Sequence, residues 1–384
     1  LKIGISTLIV RPGRSGSNEP YLVNLVNSLL RIDNENEYVL FVTRENRNLF
    51  EHHNNKRLKL VEFFTSSRSL RILCDQFIIP IWAKANKIDV LHFPGTVGSI
   101  ISLQNPKMVV TVHYDIDETL MPSVNWVKLM YFKLLFRLSI KSTSILIVPS
   151  KDFFQKLSKR WQIPERKLIT IYHGVNKSDY ESDSLLQFEV IQKKYGVYSK
   201  YLLSVTNSLP HKNLPKLLEA FAILRQQIQD KIQLVLIGNV DESDLHSIIK
   251  NITQKGLNIP INDIICTGFI PHLEVFSLCK YAFAMLNPTL VESSSMTVLE
   301  AAAFGLPVIA SNIPVHHEIL GDTAILLEPC DSIGMANACL QLLKDEKMHK
   351  DLSQRGIKRA YEFSWERTAK QTLEAYKLAR KIES

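Results

Sequence analysis

The sequence carries only five cysteines (Cys74, Cys266, Cys279, Cys330 and Cys339), scattered and without a C-x-x-C pair. That excludes a disulfide framework and cysteine-based zinc ribbons, and suits reduced core thiols in a cytosolic protein. No run approaches the roughly 20 apolar residues that a bilayer-spanning helix needs. The opening LKIGISTLIVRPG has a short apolar run but no cleavage site, and reads as a first strand rather than a signal peptide. Neither a G-x-G-x-x-G fingerprint nor a Walker A sequence occurs, which argues against a dehydrogenase or an ATPase. Zinc-finger spacing and RNP-type aromatic motifs are also missing, so nucleic acid is not an expected partner. Solenoid-period repeats and low-complexity tracts are absent.

What is present points to two globular α/β domains. A chain of 384 residues exceeds one typical core. Strand-like runs such as KIGISTLIV, YVLFV, DVLHF, KMVVTVH and SILIVPS fill the first half, and YLLSV, IQLVLIG, YAFAML, PVIAS and TAILLEP the second. Most are continuous Val/Ile/Leu runs, the pattern of strands buried on both faces. Their alternation with amphipathic helical segments predicts parallel βαβ units in two doubly wound domains. The expected division is residues 1–179, residues 180–364, and a closing helix over 365–384. Polar loops at strand ends in both predict a ligand cleft between them. Charge is uneven: residues 1–180 hold 25 Lys and Arg against 15 Asp and Glu, and residues 181–384 hold 21 against 23. A basic first half suits a lipid phosphate, a membrane surface or an acidic acceptor, and equally an ordinary solvated surface. The segment 121–142, rich in apolar and basic residues, reads either as a packed helix or as one lying on a membrane.

The stretch Asn287–Ser311 concentrates the chemistry. It reads strand, polar loop, helix, stop and strand, with Gly305 and Pro307 ending the helix. Glu292 and Glu300 bracket the loop and first turns, and Ser293, Ser294 and Ser295 add hydroxyls and amides. A helix N-terminus is an anion site and carboxylates accept from hydroxyls, so the combination suits phosphate plus polyol. Glu300 has a competing reading as the acid of a capping box with Thr297. Lys212, between a strand and a helix, is a point charge for a diphosphate, with Asn207 and His211 as neighbouring donors. Gly13 and Gly16 flank a basic turn (Arg14 to Ser17) after the first strand and permit close backbone approach to an anion. His113 ends a strand and is either structural or a donor to a sugar hydroxyl. Asp115 and Asp117 form a D-x-D, a triplet that arises easily by chance, and no metal is expected there.

Taken together, Glu292–Glu300 with the following AAAFGLPVIASNIPVHHEILGDTAILLEP resembles glycosyltransferase family 4, the retaining glycosyltransferases of GT-B architecture. LSVTNSLPHKNLPKLLEAFA, ILIVPSKDFFQKLSKRWQIPERKLITIYHGVN and FSWERTAKQTLEAYK resemble further family segments in the same order, so the resemblance spans nearly the whole chain. It implies two Rossmann-like domains, the second holding the donor, with the last helix returning to the first. By position it implies that Lys212 binds the donor diphosphate, Glu292 the transferred sugar and Glu300 the ribose. It further implies that Ser295, Met296 and Thr297 contact sugar and phosphate through amides. His113 would meet the donor sugar, Gly16 the phosphates, and Phe269 and Ile270 the base. Three positions depart from the family pattern: E-S-S-S stands for E-G-F-G, Asn207 for a basic residue, and His211 for an arginine.

The expectation is a metal-independent, retaining hexosyltransferase without a cofactor, using GDP-mannose or a UDP-hexose as co-substrate and a glycan or lipid-linked acceptor. Glu292, His113 and Lys212 are its expected catalytic residues. It is expected in the cytoplasm, with peripheral membrane contact through the basic first half as an additional partner. A sugar-nucleotide epimerase and a non-catalytic nucleotide-sugar-binding subunit are the competing readings.

Overall fold

The computed structural model describes residues 1–13, 15–51, 55–65, 67–101, 104–116, 125–180, 184–198 and 200–382. The chain divides into two compact units. Unit 1 comprises Leu1–Gly174 and Trp365–Ser384, and unit 2 comprises Val175–Ser364. Within unit 2 the two ends of its chain segment are tied together, because Val175 N donates to Phe363 O at 2.9 Å.

Unit 1 is built on seven parallel strands: β1 (Lys2–Ser6), β2 (Glu37–Val42), β3 (Leu58–Glu62), β4 (Val90–Phe93), β5 (Lys107–Thr111), β6 (Ile145–Val148) and β7 (Leu168–Thr170). They lie in the order β3-β2-β1-β4-β5-β6-β7. Unit 2 has six: β8 (Lys200–Val205), β9 (Ile232–Ile237), β10 (Ile264–Gly268), β11 (Ala284–Asn287), β12 (Val308–Ser311) and β13 (Ile325–Leu327), ordered β10-β9-β8-β11-β12-β13. Every named pairing is parallel. Both are the doubly wound, Rossmann-like sheets that the Val/Ile/Leu runs call for. In each, the strand order reverses beside the first strand, at β1/β4 and at β8/β11, and such a switch point opens a crevice at the carboxyl ends of the strands.

The cores follow from the same runs. β9 is buried along its length, and Leu202, Leu234, Leu236, Leu286 and Ile309 pack with Leu217, Phe221 and Leu342 from flanking helices. Each such side chain contributes about 1.5–3 kcal/mol through removal from water. The one polar residue inside β9, Gln233, is satisfied, accepting from Tyr198 N at 2.9 Å and donating to Gly196 O at 3.2 Å. In unit 1 the closing helix Trp365–Lys381 packs on Asn18–Ile32, β4 and β5. It buries Trp365, Ala369 and Tyr376 on one face.

Gly238 shows how tightly the carboxyl ends of β8 and β9 are drawn together. Its φ is +122°, and a Cβ there would lie 2.1 Å from the Thr206 carbonyl oxygen at the end of β8. Gly238→Ala is therefore expected to destabilise unit 2 by more than about 1 kcal/mol, the range where a glycine is conformationally required. Urea unfolding of the variant against wild type measures this, and an unchanged midpoint would contradict it.

Candidate active site

The loops at the switch point of unit 2 carry most of the expected residues. After β8 the chain passes through a short 3-10 turn, Pro210–Lys212, and enters the helix Leu214–Gln227 through Asn213, which takes φ +56°. Asn213 is held by its own side chain, which donates to Pro288 O at 3.0 Å and Pro329 O at 2.7 Å. These bonds fix the lysine that precedes it against the loop after β11. There Lys212 Nζ donates to Glu292 Oε1 at 2.6 Å, with the two side chains 19% and 17% exposed. Burial pushes the Glu292 carboxyl up, but the Lys212 charge and hydrogen bond, with His316 and His211, outweigh it and hold the group below its usual range.

Ser295 then turns the chain into the helix Met296–Ala303. It adopts φ +50° and ψ +41°, so a serine occupies the left-handed conformation that glycine favours; this costs on the order of 1 kcal/mol. The Ser295 side chain does not cap this helix, and the first amides of a helix have no partner within the helix itself. The capping-box alternative for Glu300 does not form: its Oε1 accepts from His272 Nε2 at 3.1 Å instead.

Around the Lys212–Glu292 pair lie polar atoms that are buried and, among the described residues, have no hydrogen-bond partner: Thr206 Oγ1, His211 Nδ1, Ser295 Oγ and His316 Nε2. Buried polar groups are normally satisfied, so a cluster of four at one switch point marks a place built for a polar ligand. His316 was not legible as a site residue. It lies just beyond β12 in the helix Pro314–Leu320, and its Nδ1 meets Ser311 O at 2.8 Å. That carbonyl requires the proton on Nδ1, which leaves Nε2 as an acceptor. Burial lowers its pKa against the opposing pull of Ser311 and Glu292, so the ring is neutral at neutral pH. Its position past a strand end was the available signal.

The remaining expected residues fall as follows. Asn207 uses its Oδ1 to accept from Leu209 N at 2.9 Å, which shapes the loop and leaves only its amide nitrogen for a ligand. Phe269 and Ile270 follow β10, with Phe269 61% exposed. Glu300, Ser295, Met296 and Thr297 share the loop–helix junction with Glu292. His113 and Gly16 belong to unit 1. Gly16 has φ +53° and open space where a Cβ would be. His113 is buried at the end of β5; burial pushes its pKa down to about 4 despite a hydrogen bond to the Pro94 backbone, so it is a neutral ring. Tyr21 stands edge-on to it, centroids 4.5 Å apart. Behind them, Tyr21 Oη, Thr111 Oγ1, His92 and Tyr376 Oη form a buried hydrogen-bonded chain at 3.1, 2.8 and 2.7 Å. Asp115 is engaged by Trp161 Nε1 at 2.8 Å and Arg160 at 3.3 Å, a structural role, and Asp117 and Arg14 lie outside the described residues. Among the described residues no group of three or more His, Cys, Asp or Glu is arranged to hold a metal ion. No described helix is long and apolar enough to cross a membrane.

Matches to two glycosyltransferase family models, together with two doubly wound sheets like those of solved GT-B structures, place the chain among the glycosyltransferases of GT-B fold. Residues 187–359 match the family described as glycosyl transferases group 1, and residues 19–179 match Glycosyltransferase Family 4. An O-antigen chain mannosyltransferase B of Escherichia coli is 26% identical over 62% of this chain and 62% of its own length. The N-acetyl-alpha-D-glucosaminyl L-malate synthase of Bacillus anthracis is 26% identical over 73% and 72%. The aligned part thus spans less than two thirds of the former relative. Among solved structures, Anabaena HepE in complex with UDP and glucose superposes with a TM-score of 0.71 at 16% identity, covering 98% of this chain and 99% of that one.

The depressed Glu292 value has a pH consequence. Because its folded pKa lies below the unfolded 4.5, the ionised carboxylate contributes stability in full above 4.5 and loses it as pH falls through the folded value. The stability gap between wild type and Glu292→Gln is expected to be widest at neutral pH and to close on acidification. Urea titrations across that range test it, and a gap that grew with acid would reverse the assignment.

Proposed function

We propose that the chain is a retaining hexosyltransferase that moves a hexose from GDP-mannose or a UDP-hexose to a hydroxyl of a glycan or lipid-linked acceptor, without a metal ion. The observation that carries this reading is the Lys212–Glu292 pair, set beside an uncapped helix N-terminus and four orphaned polar atoms. It is supported by the relatives, one named a mannosyltransferase and the other the synthase of a glucosaminyl malate, and by the UDP and glucose in complex with a structural neighbour.

In this reading Lys212 and the amides of Ser295, Met296 and Thr297 take the diphosphate, Asn207 adds an amide donor, and Gly16 lets backbone approach the phosphates. Glu300 takes the ribose, and Phe269 and Ile270 the base. When the bond between the anomeric carbon and the phosphate oxygen breaks, negative charge grows on the diphosphate and positive charge on the sugar. Lys212 and the helix amides stabilise the former, and Glu292 offsets the latter. His113, a neutral ring, hydrogen-bonds a donor-sugar hydroxyl. The acceptor hydroxyl attacks from the face that the diphosphate leaves, and its proton passes to a phosphate oxygen of the leaving group. The Lys212–Glu292 contact gives this arrangement a resting state: until a diphosphate arrives, the ammonium and carboxylate neutralise each other.

Two variants follow from that resting pair. Glu292→Ala is expected to lower transfer about 100-fold or more while nucleoside diphosphate binding is retained or tightened, since Lys212 is released. Lys212→Ala is expected to weaken UDP or GDP binding about tenfold or more, roughly 1.4 kcal/mol. Isothermal titration and a transfer assay that also scores donor isomerisation read both. Near-normal turnover in Glu292→Ala would remove its role, and isomerised donor without acceptor would replace transfer by epimerisation.

A further inference from the structure

The helix His272–Tyr281 begins just past β10, directly after the loop that carries Phe269 and Ile270. Pro271 precedes it with φ −55°, a value its ring fixes, so the first helical residue is aimed rigidly. That residue is His272. Its Nε2 donates to Glu300 Oε1 at 3.1 Å, with the two side chains 35% and 9% exposed. The imidazole packs on Phe276, ring centroids 4.2 Å apart, and Phe276 packs on Phe304 at 5.2 Å. Tyr180 extends the same wall, edge-on to Phe304 at 4.5 Å. A ring with an aromatic wall on one side and a carboxylate on the other has little room to turn.

Among the described residues, the bond from His272 is the one hydrogen bond that the Glu300 carboxylate receives. Oε1 is therefore engaged before any ligand arrives, and Oε2 is not. A second acid reinforces the arrangement. Asp179 is lifted above the usual carboxylate range, chiefly by burial and further by Glu300, while the hydrogen bond from Asn176 and the nearby His272 pull it back. An imidazole in the field of two carboxylates is a stronger donor than it would be alone. This matters for a vicinal diol. A carboxylate with both oxygens open accepts from two neighbouring hydroxyls at once. An oxygen that already takes an N–H accepts a second donor less readily.

We propose that His272 is a positioning residue for nucleotide recognition: it fixes Glu300 so that Oε2 alone grips a ribose hydroxyl, and the site reads one hydroxyl of the diol rather than both. This rests on the transferase reading, in which Glu300 takes the ribose. The same stretch of chain then sets both ends of the nucleoside, since Phe269 and Ile270 meet the base and His272 aims the acid that meets the sugar.

Isothermal titration of UDP, 2′-deoxy-UDP and 3′-deoxy-UDP, or of the guanosine series if GDP is the tighter parent, tests this without acceptor or turnover. In wild type, one deoxy analogue is expected to bind about tenfold more weakly than its parent, the loss of one hydrogen bond to a charged group, and the other within about threefold. His272→Ala frees Oε1, so the second analogue is expected to become several-fold weaker as well. His272→Gln, whose amide nitrogen donates from nearly the same place, should restore the wild-type pattern. Should His272→Ala fail to fold by circular dichroism, His272→Phe keeps the packing on Phe276 without the donor and takes its place. Equal losses for both analogues in wild type would overturn the proposal. So would a pattern unmoved by removal of the imidazole, or a uniform weakening of all three nucleotides, which marks a purely structural residue. Wild type that bound neither UDP nor GDP would instead remove the transferase reading itself, and the proposal with it.

Discussion

The 2.6 Å contact between Lys212 and Glu292 is the constraint around which unit 2 is arranged. A partly buried ammonium and carboxylate are tolerable together and costly apart. Each comes from a different strand end, so the loops after β8 and β11 must meet for either charge to be accommodated. Asn213 enforces that meeting by reaching two carbonyls of neighbouring loops, while Gly238, just after β9, lets the Thr206 backbone oxygen approach where any side chain would collide. Burial, with Lys212 adding to it and Glu292 opposing it, holds the neighbouring His211 and His316 on the neutral side, so the site gains hydrogen-bonding capacity without surplus positive charge.

The serine-rich turn illustrates how a substitution can keep a geometry. Ser295 occupies a left-handed conformation that glycine would adopt at no steric cost, and the helix behind it still begins uncapped. The strain of that residue is offset by the packing of Val298, Leu299 and Ala301–Ala303, all buried beneath the helix. The E-S-S-S turn thus still leads into a helix that no side chain caps, while adding a buried hydroxyl that glycine lacks.

Periodicity made the sheets legible, since runs such as IQLVLI and ILIV have few alternatives to a strand buried on both faces. The loop residues Lys212, Glu292 and Glu300 were legible because strand–loop–helix junctions leave a recognisable polar signature between apolar runs. His316 was not, because a histidine in a short helix looks the same whether its ring is packed or poised, and only the Ser311 carbonyl fixes its tautomer. The capping box suggested by Thr297 and Glu300 was a sound local inference defeated by a distant partner, His272, that no local pattern announces.

The hydrogen-bonded chain from Tyr21 through Thr111 and His92 to Tyr376 joins the first helix of unit 1 to its last. Unit 1 is thus discontinuous along the polypeptide, interrupted by the whole of unit 2. On the ribosome, its sheet emerges early but must wait through some two hundred residues of translation before the segment that seals His92 and Trp365 into the interior is made. Unit 2, contiguous in sequence, has no such delay, so the order of synthesis favours a nascent chain in which the second unit closes before the first is complete.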